Sequence, residues 1–263
     1  MPTEGKPPVV PLFGLSFAAL SLEAAADFLA KEAATRRTAG AAGPLFVATV
    51  NAEMLIRARE DAQVLSVLRQ ADVVVADGIG VVLAARLLDR PLPGRVAGID
   101  LMEALLERAA AAGWPVFFLG ARPEVLPRAM AAVRRRHPKL VLDGHHGYFT
   151  PEEEAAVLEQ IAAFRPALLF VGLGAPRQEA WIARHRPRLS AALAMGVGGS
   201  FDVLGGAVRR APLRWQRLGL EWLWRLKEEP WRARRMAALP RFALLAVAVR
   251  LGLAREEPGR GSP

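Results

Sequence analysis

The chain contains no cysteine. That excludes disulfides, thiolate-bound metals and a cysteine nucleophile, and it fits a reducing compartment. Histidine is scarce as well, with four in 263 residues. His145 and His146 are adjacent, so on an extended chain they face opposite ways, and no HxxxH or HxH ligand spacing occurs. The pair reads as a loop, on the surface or near a phosphate, and no metal site is expected. Also missing are the GxSxG nucleophile elbow, the GxxxxGK[ST] phosphate loop and a DxD pair for a metal-bound nucleotide. Their absence argues against serine hydrolases and P-loop NTPases. No apolar run reaches the ~18–20 residues that span a bilayer. The opening MPTEGKPPVVPLFG lacks the basic and apolar regions of a secretion signal. Together these absences predict a cytoplasmic protein.

Hydrophobic residues are abundant, 52% of the chain, which argues for a folded core. A chain of 263 residues suffices for one large or two small domains. The net charge of +9 is unevenly placed: residues 205–263 hold 13 Lys+Arg against 5 Asp+Glu, and residues 1–204 hold 22 against 21. The basic character therefore belongs to the C-terminal stretch, which suits an anionic partner such as phosphate, acidic lipid or nucleic acid, or else a solvated helical face.

Short apolar runs without alternation, LFVATV (45–50), DVVVA (72–76), PVFFLG (115–120), KLVLDG (139–144), ALLFVGLG (167–174) and ALAMGVG (192–198), predict buried strands. Helical patterns separate them at about 52–69, 78–89, 100–112, 122–136, 151–164 and 176–188. That alternation predicts an α/β, Rossmann-like fold with a mostly parallel sheet covered on both faces. Residues 1–20 add a strand or short hairpin, and Ser21 begins a leading helix over 21–38. There is no internal repeat.

In such sheets ligands gather beyond the carboxyl ends of the strands. There the sequence places Thr49 and Asn51, then Asp77 with Gly78 and Gly80, Gly120 with Arg122, GHHGYF, GAPRQE and GGSFD. Small residues let a ligand approach the backbone, and helix N-termini offer N–H groups to phosphate. A nucleotide-type ligand is the expectation. Plain structural readings stand beside it: Asp77–Gly78 is a common turn pair, Thr49 and Asn51 can cap a helix at 52, and Gln178 and Glu179 can occupy a first helical turn. GLG at 172–174 and GIG at 78–80 supply only fragments of the GxGxxG dinucleotide fingerprint. An NAD-type oxidoreductase and a nucleic-acid binder using the basic tail remain as alternatives.

Eight blocks, TVNAEM (49–54), ADGIGVV (76–82), RVAGIDLM (95–102), FFLGARPEV (117–125), GHHGYF (144–149), VGLGAPRQEAWI (171–182), GVGGSFDVLGG (196–206) and RRAPLRWQRLGLEWLWRLKEEPWRARR (209–235), occur in order. In that set the chain resembles the WecG/TagA/CpsF glycosyltransferase family. The resemblance implies inverting transfer of an N-acetylmannosamine-type sugar from a UDP donor to undecaprenyl-diphosphate-linked N-acetylglucosamine. Such enzymes serve teichoic acid, enterobacterial common antigen or capsule synthesis. By the same resemblance Asp77 is the base, and Thr49, Asn51, Arg95, Gln178 and Asp202 line the pocket, with Tyr148 as a wall or stacking contact. Arg225, Arg232 and Arg235 would stabilise the leaving diphosphate, and no metal or other cofactor is expected.

The division that follows is a catalytic core over 1–208, a basic amphipathic appendage over 209–254 and a disordered tail over 255–263. In the appendage, Trp215, Leu218, Trp222 and Leu226 recur near helical spacing, and FALLAVAV (242–249) is too short to span a bilayer. Basic residues beside tryptophan and leucine suit an interfacial segment on an anionic membrane; packing on the core or between subunits is the alternative. The expected partners are therefore a UDP-sugar, a polyprenyl-diphosphate acceptor and the inner face of the cell membrane, with no nucleic acid and a possible homo-oligomer.

Overall fold

Each of the six runs read as a strand forms one, and with the N-terminal hairpin they build a single eight-stranded sheet. A computed structural model describes residues 6–40, 43–228 and 236–257, without the side chains at 217 and 225. The strands are β1 (Val9–Leu12), β2 (Leu15–Ala18), β3 (Leu45–Val50), β4 (Val73–Ala76), β5 (Val116–Gly120), β6 (Leu142–His145), β7 (Leu168–Gly172) and β8 (Leu193–Gly196). Their order across the sheet is β1-β2-β4-β3-β8-β7-β5-β6. Only β1 and β2 pair antiparallel; every other pairing is parallel. The expected hairpin is thus present, turned by Phe13 and Gly14, both at positive φ, as a two-residue hairpin loop requires.

The helices are α1 (Leu22–Ala39), α2 (Ala52–Glu60), α3 (Ala62–Arg69), α4 (Ile79–Leu87), α5 (Gly98–Ala112), α6 (Leu126–Arg136), α7 (Glu154–Phe164) and α8 (Arg177–His185). After β8 come α9 (Ser200–Leu204), α10 (Leu213–Arg217), α11 (Glu221–Glu228) and α12 (Ala238–Arg250). Ser21 caps α1 by accepting from Ala24 N–H at 3.3 Å. The helix expected over 52–69 is two. Asp61 leaves helical geometry (φ −130°, ψ 108°) and its carboxylate accepts from Gln63 N–H, so it ends α2 and caps α3.

Alternate strand residues go to opposite cores, which is why the runs are apolar throughout. Phe46, Ala48 and Val50 of β3, with Phe117, Leu119, Leu169 and Val171, pack under α2, α3, α4, α7 and α8. Leu45 and Val47, with Val116, Phe118, Leu168 and Phe170, pack under α1, α5, α6 and α9. Neighbouring strands β3, β8, β7 and β5 are followed by helices on alternating faces: α2, α9, α8 and α6 in turn. The chain therefore splits open along those four carboxyl ends, and a crevice is left there.

The C-terminal helix α12 belongs to the first of these cores. Ala238, Phe242 and Ala246 are buried against α2 and α4, and the Phe242 ring meets Phe13 of the hairpin at 5.0 Å between centroids. Ion pairs fasten it as well, Arg241 to Glu60 and Arg250 to Asp89. No helix among the described residues is long and apolar enough to cross a membrane.

Of the tail expected to be disordered over 255–263, residues 258–263 lie outside the described residues, and 255–257 make specific contacts. Glu256 accepts from Phe13 N–H at 3.0 Å and pairs with Arg90 at 2.8 Å, while Glu257 pairs with Arg69 at 3.2 Å. Arg59 donates to the carbonyls of Arg255 and Glu256. Hydrogen-bond and salt-bridge partners more than 150 residues away, on the hairpin, on α2 and α3 and just past α4, tie this stretch down. Glu256→Ala should cost about 1–2 kcal/mol, because a partly buried backbone donor and a guanidinium both lose their acceptor. Urea unfolding of the two proteins measures it.

Candidate active site

The crevice is a cleft of about 790 Å³ at the carboxyl ends of β4, β3, β8, β7 and β5. Its floor is made of glycines and small polar side chains, and one wall is apolar, supplied by α4 and α12. Thr49, Asn51, Asp77, Arg95, Tyr148, Gln178 and Asp202 all line it. The structure thus brings together residues spread over more than 150 positions of sequence.

Asp77 sits where β4 ends. Its N–H donates to Val50 O at 2.9 Å, continuing the parallel ladder by one residue before the chain leaves the sheet. Gly78 follows at φ 149°, ψ 142°, a conformation that costs a side-chain-bearing residue about 1–3 kcal/mol. The turn reading of Asp77–Gly78 is correct as geometry. A Cβ placed on Gly98 would lie 3.3 Å from Thr49 Oγ1 and 3.5 Å from Asp77 Oδ2. The hydroxyl and the carboxylate therefore flank one buried glycine at the head of α5, on the cleft floor.

Thr49 is buried, and its hydroxyl donates to Gly196 O at 3.0 Å, stitching β3 to β8. Asn51 is the cap foreseen for α2, accepting from Met54 N–H at 3.0 Å, and it lines the cleft as well. No side chain caps α4, α8 or α9. Their first turns face the cleft through Gly78 and Ile79, Arg177 and Gln178, and Gly199 and Ser200.

Gln178 is 2% exposed. Its Oε1 accepts from Gly198 N–H at 3.0 Å and its Nε2 donates to Glu179 Oε1 at 2.7 Å. Glu179 is fully buried, and burial pushes its carboxyl up to about 7, against the pull of its hydrogen bonds from Gln178 and its own backbone. From sequence this residue is marked only by its place in a first helical turn.

Arg95 reaches the cleft, but its guanidinium is engaged by Glu221 of α11 at 2.9 Å and lies 3.9 Å from Asp100 of α5. Arg210 pairs with Asp100 too, and approaches Glu103 and Glu221 at 3.9 Å each. These pairs fasten the segment after β8 to α5. Asp202, on α9, stands 4.0 Å from Arg122. Tyr148 is largely exposed at the mouth. Arg232 and Arg235 lie outside the described residues, as does the side chain of Arg225 in α11.

Two arginines on the cleft wall, Arg122 and Arg177, stood among the strand-end residues of the sequence but were assigned no role there. Both follow a strand-end glycine, Gly120 and Gly174, and that position was the signal available. Chemically, the cleft offers a carboxylate beside a hydroxyl on a backbone floor, with guanidinium groups and helix N-termini around it. That set can accept a proton from a hydroxyl and hold an anion.

Comparison with known proteins shows the family. Residues 10–256 match the model of the glycosyl transferase WecG/TagA/CpsF family. Two proteins of Staphylococcus aureus, from strains MW2 and NCTC 8325 / PS 47, are each 39% identical over 198 residues, 75% of this chain and 78% of theirs. Both bear the name N-acetylglucosaminyldiphosphoundecaprenol N-acetyl-beta-D-mannosaminyltransferase. The fold and site define a Rossmann-like enzyme, and the chain belongs to the WecG/TagA/CpsF family of glycosyltransferases. The oxidoreductase and nucleic-acid readings give way to that membership.

The raised Glu179 carboxyl has a consequence for stability. A group whose folded value lies above its unfolded one binds more protons in the native state, so stability falls as pH rises between the two values. The window runs from the ordinary 4.5 to about 7. Glu179→Gln should remove that slope, gaining on the wild type from pH 5 to pH 7, with a constant difference between the two above it. Thermal melts at matched ionic strength check this.

Proposed function

We propose that this enzyme transfers an N-acetylmannosamine-type sugar from a UDP donor to the N-acetylglucosamine of an undecaprenyl-diphosphate-linked acceptor. The observation that carries the reading is the carboxylate of Asp77, set beside Thr49 on the floor of a cleft whose walls carry arginines and helix N-termini. The names of the two staphylococcal relatives support the choice of sugar and acceptor.

In the proposed reaction Asp77 takes the proton of the acceptor hydroxyl as its oxygen attacks the anomeric carbon. The bond from that carbon to the donor diphosphate breaks on the opposite side, so configuration inverts and UDP departs. Thr49, Asn51 and Gln178 orient the sugars. The departing diphosphate carries the developing charge, and fixed positive groups stabilise it most when water is excluded. Arg122 and Arg177 are placed for that role, joined by Arg225, Arg232 and Arg235 of the C-terminal stretch, with no cation required. Arg95 would exchange its Glu221 partner for the donor or hold the wall in place.

Asp77→Asn keeps the size of the side chain and removes the base. Turnover with a short-chain lipid-diphosphate acceptor, in chelating buffer, should fall by about 10²–10⁴-fold. UDP affinity by isothermal titration should stay within a few-fold. Near-wild-type turnover in this variant would remove Asp77 as the base, and failure of the wild-type protein to bind UDP would remove the donor assignment.

We place the enzyme at the inner face of the cell membrane, where such an acceptor resides. The support is a set of exposed apolar side chains: Leu83 and Leu87 of α4, Trp222 of α11 and Val247 of α12 on the cleft lining, with Leu244 elsewhere on α12 and Leu251 just past its end. Exposed apolar groups beside excess positive charge favour an anionic interface. The double variant Leu244→Glu, Leu251→Glu should weaken sedimentation with anionic liposomes by tenfold or more, a loss smaller than the ~3–6 kcal/mol that two fully buried leucines would contribute. Turnover of a water-soluble acceptor should remain; unchanged liposome binding would put the contact elsewhere.

A further inference from the structure

Glu179 is a carboxylate in a place where carboxylates are costly. It is fully buried, and its second oxygen, Oε2, has no hydrogen-bond partner among the described residues. A first helical turn favours an acid through the helix dipole, but an exposed one would serve that end. The explanation lies in what its other oxygen touches.

Gln178 is the neighbour, and its amide has a donor end and an acceptor end that occupy nearly the same shape. Gly198 N–H points at it from the turn after β8 and needs the acceptor end, Oε1. The donor end then has to find an acceptor inside the protein, and Glu179 Oε1 is that acceptor at 2.7 Å. Flipping the amide would set donor against donor at Gly198 and acceptor against acceptor at Glu179. Both side chains press on the end of β8: a Cβ on Gly196 would come within 2.7 Å of Gln178 Nε2 and of Glu179 Oε1. The carbonyl of that same Gly196 receives the Thr49 hydroxyl at 3.0 Å. A continuous set of contacts thus runs from Glu179 through Gln178 and the Gly196–Gly198 backbone to Thr49, which stands beside Asp77 around Gly98.

We propose that Glu179 is a positioning residue for sugar transfer, fixing the Gln178 amide in the one orientation that holds the Gly198 turn and the cleft floor. It touches neither sugar nor proposed base. It acts through an acceptor oxygen, so a glutamine in its place, which keeps that oxygen, does the same work, and a leucine of similar size does not. The kinetic half of this inference rests on the transfer reaction proposed above; the structural half does not.

The test compares the full-length wild type, Glu179→Leu and Glu179→Gln. Two quantities are read: amide hydrogen exchange at Gly198 in the ligand-free protein, and kcat with UDP-N-acetylmannosamine and a short-chain lipid-diphosphate acceptor. Leucine should keep the fold, since it replaces a buried charge with apolar bulk. In that variant Gly198 exchange should accelerate ~10-fold or more and kcat should fall ~10–100-fold, the range expected from one lost hydrogen bond to a charged group. UDP affinity should hold within about threefold, since the hydrogen bond lost supports the floor and not the nucleotide. Glutamine should restore both quantities to within about threefold of wild type by supplying the acceptor. Three outcomes overturn the proposal: Glu179→Leu with wild-type kcat, Glu179→Leu with lowered kcat and unchanged Gly198 exchange, or Glu179→Gln as impaired as leucine. A wild-type protein that turns over no UDP-sugar would sink the donor assignment instead, and the exchange rates would still decide whether Glu179 holds the turn.

Discussion

The site depends on how closely the backbone of β8 is approached from both sides at Gly196. One side carries the Gln178–Glu179 pair, at distances that leave no room for a side chain at 196. Across the strand pairing the Thr49 hydroxyl donates to the Gly196 carbonyl. Because β8 lies between β3 and β7 in the sheet, that one residue sets the spacing of the strand ends around it. Asp77, at the end of β4 one strand further on, takes its place from β3 through its N–H bond to Val50. Glycine at 196 is therefore a packing requirement, and the polar contacts around it turn a strand end into a floor.

Around that floor the fold does two separate things. The alternation of helices between faces opens the crevice, which is a property of strand order and needs no particular side chain. The segment after β8 then walls it. Arg95 and Arg210 hold that segment to α5 through Asp100 and Glu221, and α12 closes the apolar side by burying Phe242 and Ala246. Partly buried ion pairs of this kind contribute less to stability than to fixing one arrangement. Here the arrangement they fix brings apolar side chains of α12 and polar ones at the ends of β3 and β4 onto the same cleft. An acceptor with a sugar at one end and a lipid at the other matches that division.

The sheet was legible because strands buried on both faces leave uninterrupted apolar runs, as in LFVATV and PVFFLG. Caps were legible where a short polar side chain precedes an apolar pattern, as at Ser21 and Asn51. The break at Asp61 was missed because apolar spacing continues through it, and only the aspartate marks the change from α2 to α3. Asp77 stood out as an acid at the end of a buried run. Glu179 did not, since nothing local distinguishes a buried acid in a first helical turn from a solvated one. Contacts of long sequence range were equally hidden: Phe13 with Phe242, Arg90 with Glu256, Arg95 with Glu221. Each depends on where the C-terminal stretch lands, which periodicity does not encode. A tail rich in charge and proline reads as loose until its partners on the hairpin and first helices are known.

A single carboxylate acting on the acceptor commits the reaction to one displacement, with attack and departure on opposite faces of the anomeric carbon. A double displacement would need a nucleophile to form and then release a covalent glycosyl intermediate. The stereochemistry of the product therefore tests the central claim most directly. Transfer from α-configured UDP-N-acetylmannosamine to a short-chain lipid-diphosphate N-acetylglucosamine, followed by NMR of the new linkage, should show a β-mannosaminide. An α-linked product would mean retention, and would contradict an account built on Asp77 as the one base.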